Sequence, residues 1–153
     1  TETIQIDFDP DVITYRDLLE VFWSSHNPCA RPGSRQYMSA IFVHDDAQRA
    51  AAEQTATTIG KEQGRDVTTE IVPLDRFHIA EAYHQKYSLR RLRGVTDEFE
   101  ALYPDLESFV RSTAVTRANA FVAGDLGERA FDAISNELGL SPDALDALRR
   151  RAR

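Results

Sequence analysis

The stretch Ser34-Arg35-Gln36-Tyr37-Met38-Ser39-Ala40-Ile41-Phe42-Val43-His44, followed by Asp45-Asp46, decides the fold. Met38 to His44 is a short, nearly continuous apolar run, the pattern of a central strand buried on both faces. Asp45 or Asp46 then caps a helix, because a short acidic side chain can accept the unpaired N–H groups of a first turn. That helix is Ala-rich, turns Ala47, Ala50, Ala51 and Ile59 inward, and ends at Gly64. Thr68 to Val72 is β-branched and reads as a strand, and Pro73 closes it because proline has no N–H to give to a ladder. Upstream, Ile4, Ile6 and Phe8 alternate with Thr3, Gln5 and Asp7, which predicts a half-buried strand ended by Asp9-Pro10-Asp11. Thr14 with Asp17 three positions on has the spacing of a capping box. It opens a helix with Leu18, Leu19, Phe22 and Trp23 on one face, stopped at Asn27-Pro28. The order β-α-β-α-β predicts a mixed sheet with helices on it.

After residue 80 the pattern is helical. Ala80 to Leu92 reads as a helix with Tyr83 and Tyr87 one turn apart. Further helices are expected over 96–103, over 112–123 ending at Gly124, and over 126–138 ending at Gly139. Ser141-Pro142, an N-cap followed by proline at the first helical position, opens a last helix. Its end, Arg149-Arg150-Arg151-Ala152-Arg153, places cations at the negative helix terminus.

The 153 residues carry 18 Lys and Arg against 25 Asp and Glu, a net charge of -7. That balance argues against a nucleic-acid partner, which needs concentrated positive charge. No apolar run approaches the roughly 18 residues of a membrane span, so no membrane partner is expected. The first residues lack the basic and apolar regions of a signal peptide. They start without Met and directly in a strand pattern, as a processed product or a fragment would. Cys29 is the single cysteine, so no internal disulfide and no cysteine-cluster metal site are possible. A free thiol fits a reducing compartment, and the expected location is cytoplasmic. His26, His44, His78 and His84 lack zinc-site spacing, and Gly60 and Gly64 do not make a phosphate loop. No bound cofactor is expected.

Four strings carry a family likeness: Thr1-Glu2-Thr3-Ile4-Gln5-Ile6-Asp7-Phe8-Asp9-Pro10; Leu18-Leu19-Glu20-Val21-Phe22-Trp23 with His26-Asn27-Pro28; Ser34 to Phe42; and Glu81-Ala82-Tyr83-His84-Gln85-Lys86-Tyr87. In this order and spacing the chain resembles the peptide methionine sulfoxide reductase A family, the reductases of the S epimer. Asp105 to Gly124 is similar to an extension found in part of that family. The resemblance implies an α+β fold, a two-layer sandwich or roll with a mixed sheet of the ferredoxin-like, split-βαβ type, plus a helical C-terminal extension. Residues 1–92 are read as a partial reductase core. Residues 93–153 are read as the extension, packed on the same domain.

The resemblance also implies a chemistry. A cysteine in a Gly-Cys-Phe-Trp motif attacks the sulfoxide sulfur of methionine sulfoxide, in proteins or free, leaving Met and a cysteine sulfenic acid. A second thiol, with a thioredoxin-like reductant as final donor, restores the cysteine. Glu2 matches the family's acid, a carboxylic acid kept neutral by an apolar pocket so that it can protonate the departing oxygen. Tyr37 matches the phenol that orients that oxygen while staying protonated.

The sequence departs from the family in three places. Gly-Cys-Phe-Trp does not occur in these 153 residues, so on their own they are expected to be inactive. Arg31, Pro32, Gly33, Ser34 and Arg35 stand where the family has an aspartate before the Gln-Tyr pair. No C-terminal resolving cysteine is present, which implies dependence on an external thiol.

Cys29 has two readings: a replacement nucleophile or resolving thiol activated by Arg31 and Arg35, or a passive loop cysteine. His84 is expected to be structural or solvated, and Arg90, Arg91 and Arg93 a solvated helix face. The competing functional class is a non-catalytic remnant that serves as a peptide-binding or interaction module.

Overall fold

A computed structural model describes residues 2–31 and 33–151. Thr1, Pro32, Ala152 and Arg153, assigned above to the first string, the Arg-rich loop and the last helix, lie outside the described residues. The chain divides into two compact units, Thr1–Phe77 and His78–Arg153.

The first unit is α+β. Helix α1 spans Tyr15–Ser24, strand β1 Ala40–Val43, helix α2 Asp46–Gln63 and strand β2 Glu70–Pro73. The expected caps form. The Thr14 hydroxyl accepts from the Asp17 N–H, and the Asp17 carboxylate accepts from the Thr14 N–H and hydroxyl at 2.8 and 2.6 Å. The Asp45 carboxylate accepts from the Gln48 N–H at 2.7 Å. Gly64 ends α2 at φ 62, the left-handed region that glycine enters without a Cβ clash.

β1 and β2 pair in parallel, Ala40 opposite Glu70 through Val43 opposite Pro73, and α2 makes the crossover between them. Ile41 and Val43 are buried on one face with Leu19, Trp23 and Ala52. The Trp23 indole N–H donates to the Thr55 hydroxyl at 2.9 Å, which ties α1 to α2.

Two expectations change here. β1 is not buried on both faces, because Ala40 and Phe42 are only half-buried. Residues 3–8 run without a β-ladder, so the sheet among the described residues is a parallel pair instead of a mixed sheet. Alternation makes this segment two-sided, but a strand also needs a backbone partner about 4.8 Å away. Ile4 remains 81% exposed and Ile6 52%.

The second unit is helical. It holds α3 Tyr87–Arg90, α4 Arg93–Leu102, α5 Leu106–Arg111, α6 Thr113–Ala123, α7 Glu128–Ile134 and α8 Pro142–Arg151. Its core joins Leu89, Val95, Phe99, Phe109, Phe121, Phe131 and Leu148. The Phe121 and Phe131 rings stack at 3.8 Å. Leu89 and Leu92 join this core, and His78–Arg153 form the second unit.

The continuous helix expected from Ala80 to Leu92 is broken. A 3-10 turn at Ala82–His84 is followed by Lys86 at φ 52 and only then by α3. Non-local bonds hold the break: Lys86 Nζ to the Thr116 hydroxyl at 2.7 Å, and the Leu89 N–H to Asn119 Oδ1 at 3.1 Å. The helix expected over 126–138 tightens into a 3-10 turn at Ser135–Glu137. Arg90 is not a solvated residue: it pairs with Glu100 at 2.9 Å and lies over the Phe109 ring. Arg91 and Arg93 are exposed.

Candidate active site

A groove of about 750 Å³ opens in the first unit. Its walls come from the extended segment 2–8, from α1 and from β1. Ile4, Ile6, Phe8, Phe22, Phe42 and Phe77 make it apolar, and Glu2, His26 and His44 add polar groups. The half-buried face of β1 therefore faces a hollow and not a packed layer.

Glu2 and the Gln36-Tyr37 pair come together across 34 positions of sequence. The Glu2 N–H donates to the Gln36 carbonyl at 3.3 Å. The Gln36 side-chain amide donates to Glu2 Oε1 at 3.1 Å. A turn in which the Tyr37 N–H donates to the Ser34 carbonyl at 3.3 Å presents this edge. Glu2 lines the groove; Tyr37 does not, and its side chain is exposed. Glu2 is exposed as well, so the described residues do not themselves supply the burial expected around the acid.

Cys29 lies elsewhere in the unit and is only 6% exposed. Its N–H donates to Asn27 Oδ1 at 3.1 Å, and its thiol donates to Gln63 Oε1 at 3.3 Å. The loop is pinned by Thr68, whose N–H donates to the Pro28 carbonyl at 2.8 Å and whose hydroxyl donates to the Ala30 carbonyl at 2.7 Å. A buried thiol engaged in this way fits the passive loop cysteine of the two readings. Tyr83 and His84, ring centroids 4.2 Å apart, are exposed in the second unit.

The sequence reading gave no role to two residues of the site. His26 lines the groove, with Nδ1 2.7 Å from the Phe22 carbonyl and Nε2 3.5 Å from the Thr69 hydroxyl. Gln36, within the Ser34-to-Phe42 string, is the partner of Glu2, and the spacing of the two carries no signal of that contact. Among the described residues, no group of three or more His, Cys, Asp or Glu is placed to hold a metal ion, and no helix is long and apolar enough to cross a membrane.

Comparison with known proteins bears on what this edge is. Residues 1–114 match the family described as peptide methionine sulfoxide reductase. A Drosophila melanogaster peptide methionine sulfoxide reductase is 37% identical over 146 residues, covering 93% of this chain and 57% of its own length. A protein of that name with the suffix MsrA from Methanococcoides burtonii is 47% identical over 93 residues, covering 56% of this chain and 61% of its own. One from Streptomyces griseus is 43% identical over 98 residues, covering 57% and 44%. The chain thus spans about half the length of the curated relatives it matches. The family match takes in both the Glu2 segment and the Gln36-Tyr37 turn, and the fly alignment runs on into the helical unit. This chain belongs to the peptide methionine sulfoxide reductase family.

Proposed function

We propose that this chain supplies the acid half of the active site of a peptide-methionine (S)-S-oxide reductase, with Glu2 as proton donor and Tyr37 as the group that orients the sulfoxide. The observation that carries this reading is the pair of hydrogen bonds joining Glu2 to Gln36, which sets the first string of the family beside the third. A sulfoxide oxygen leaves only when protonated, and a positioned carboxylic acid lowers that barrier. In this reading the nucleophile is the cysteine of the family's Gly-Cys-Phe-Trp segment, which residues 1–153 do not contain. Its thiolate attacks the sulfoxide sulfur as Glu2 protonates the oxygen; the S–O bond breaks as the S–S bond forms, the oxygen takes a second proton from solvent and leaves as water, and a further water adds to the cysteine sulfur, breaking the S–S bond and releasing the thioether. The net step converts thiol and sulfoxide into sulfenic acid and thioether, a two-electron oxidation of one sulfur and reduction of the other. An external thiol then condenses with the sulfenic acid, releasing water, and a thioredoxin-like dithiol reduces the resulting disulfide.

The same proposal extends to fold and setting. The β1-α2-β2 unit, with α1 and α2 packed on the parallel pair, supports a two-layer sandwich of the ferredoxin-like, split-βαβ type. The single free cysteine supports a reducing, cytoplasmic location.

The test combines residues 1–153 with a Gly-Cys-Phe-Trp segment of a family member, fused or in trans, and assays separated sulfoxide epimers with dithiothreitol. Turnover of the S epimer alone is the expected result. A well-folded complex that binds peptide and turns over neither epimer would establish the non-catalytic module instead.

A further inference from the structure

We propose that Gln36 is a positioning residue for the acid: its side-chain amide fixes one oxygen of Glu2 and leaves the other to deliver the proton. The inference rests on the assignment of Glu2 above and adds a residue to it. The segment carrying Glu2 runs without a β-ladder, so sheet pairing does not fix where its side chains point. The Glu2 backbone is placed by its own bond to the Gln36 carbonyl at 3.3 Å. The carboxyl group is placed separately, by the Gln36 amide on Oε1 at 3.1 Å. One residue therefore anchors both main chain and side chain of the acid, from a turn that also carries Tyr37.

The electrostatics favour the reaction and not only the resting geometry. A carboxylic acid giving up its proton gains negative charge on both oxygens. A hydrogen bond donated to one of them is neutral before transfer and charge-assisted after it, when it is about twice as strong. An interaction that strengthens along the reaction coordinate raises the rate of the chemical step and leaves ground-state binding nearly unchanged. Oε1 is the oxygen held, so Oε2 is the one that carries the transferred proton.

The experiment is a double-mutant cycle in residues 1–153 joined to the Gly-Cys-Phe-Trp segment of a family member, read by single-turnover formation of sulfenic acid. Gln36→Met keeps the length of the side chain and the backbone carbonyl but removes the donor. Gln36→Ala is the second variant, in case Met packs into the groove. Each should slow the chemical step roughly 5–30-fold, as expected for one bond to a developing charge, with KM within about twofold. In a Glu2→Gln background neither should cause further loss, because no carboxyl group remains to be oriented. Full rate in the Gln36 variants, an equal loss in both backgrounds, or a loss confined to KM would overturn the role of Gln36 while leaving Glu2 as the acid. Full rate for Glu2→Gln alone would overturn the acid assignment, and this inference with it.

Discussion

The thiol of Cys29 donates a hydrogen bond to Gln63 Oε1, 3.3 Å away and 34 positions on in the sequence. This contact links the loop after α1 to the last turn of α2 and turns the chain's single sulfhydryl inward. Nucleophilic attack needs an exposed thiolate in an electropositive setting, and Cys29 offers a buried thiol bound to a neutral amide.

A labelling experiment follows directly. Cys29 in the folded chain should react with an aromatic disulfide reagent at least 100-fold more slowly than in denaturant, since access requires local opening that costs about 3 kcal/mol or more. Residues 1–153 alone should show no sulfoxide reduction with dithiothreitol or thioredoxin. Turnover that vanished in Cys29→Ser would make Cys29 the nucleophile.

The Trp23–Thr55 bond should be visible in stability. Thr55→Val leaves the largely buried indole N–H without its acceptor and should cost about 1–3 kcal/mol. Trp23 is the only tryptophan, so urea titration followed by its fluorescence reports on the first unit.

The second unit has its own probe. Phe131 is fully buried and stacked on Phe121 at 3.8 Å. Phe131→Ala should cost about 3–5 kcal/mol of helical stability, read by circular dichroism of residues 1–153.

Acid should loosen the same unit. Glu98 accepts the Ser141 N–H at 2.9 Å and the Ser141 hydroxyl at 2.6 Å, and these two bonds hold its carboxyl below the ordinary value of 4.5. A carboxyl group whose folded value is depressed stabilises the fold above its ordinary value and loses that contribution as pH falls through the folded value. The thermal midpoint of the helical unit should therefore drop on acidification from about pH 4.5 downward. Glu98→Gln should flatten that limb but not abolish it, because the Asp105 carboxyl, lowered by its bonds to Ser108, has the same sign. An unchanged acid limb in Glu98→Gln would contradict this.

What the sequence disclosed divides along local and non-local lines. The Thr14 and Asp45 caps, the exit at Gly64 and the last helix opening at Ser141-Pro142 were legible because each depends on residues within four positions. α5 was missed, although Asp105 is an N-cap bonded to the Ser108 N–H at 2.9 Å; the signal was there, three residues before Ser108. The strand expected at Ile4 to Phe8 did not form, because alternation specifies faces and not a partner. The break at Lys86 was illegible for the same reason: Thr116, which holds it, lies 30 positions away. At the candidate site, the resemblance pointed to Glu2 and Tyr37 separately. The contact between Glu2 and Gln36 is a product of folding that no local spacing encodes.

Glu2 is proposed above as the proton donor. The decisive measurement is single-turnover sulfenic acid formation in residues 1–153 joined to the Gly-Cys-Phe-Trp segment of a family member, comparing Glu2→Gln with Tyr37→Phe. Loss of a general acid costs about 10²–10⁴-fold, whereas loss of one neutral hydrogen bond costs about 5–150-fold. The loss should be much larger in Glu2→Gln, with substrate binding little changed because glutamine still donates a hydrogen bond. Equal modest losses in the two variants, or none in Glu2→Gln, would contradict it.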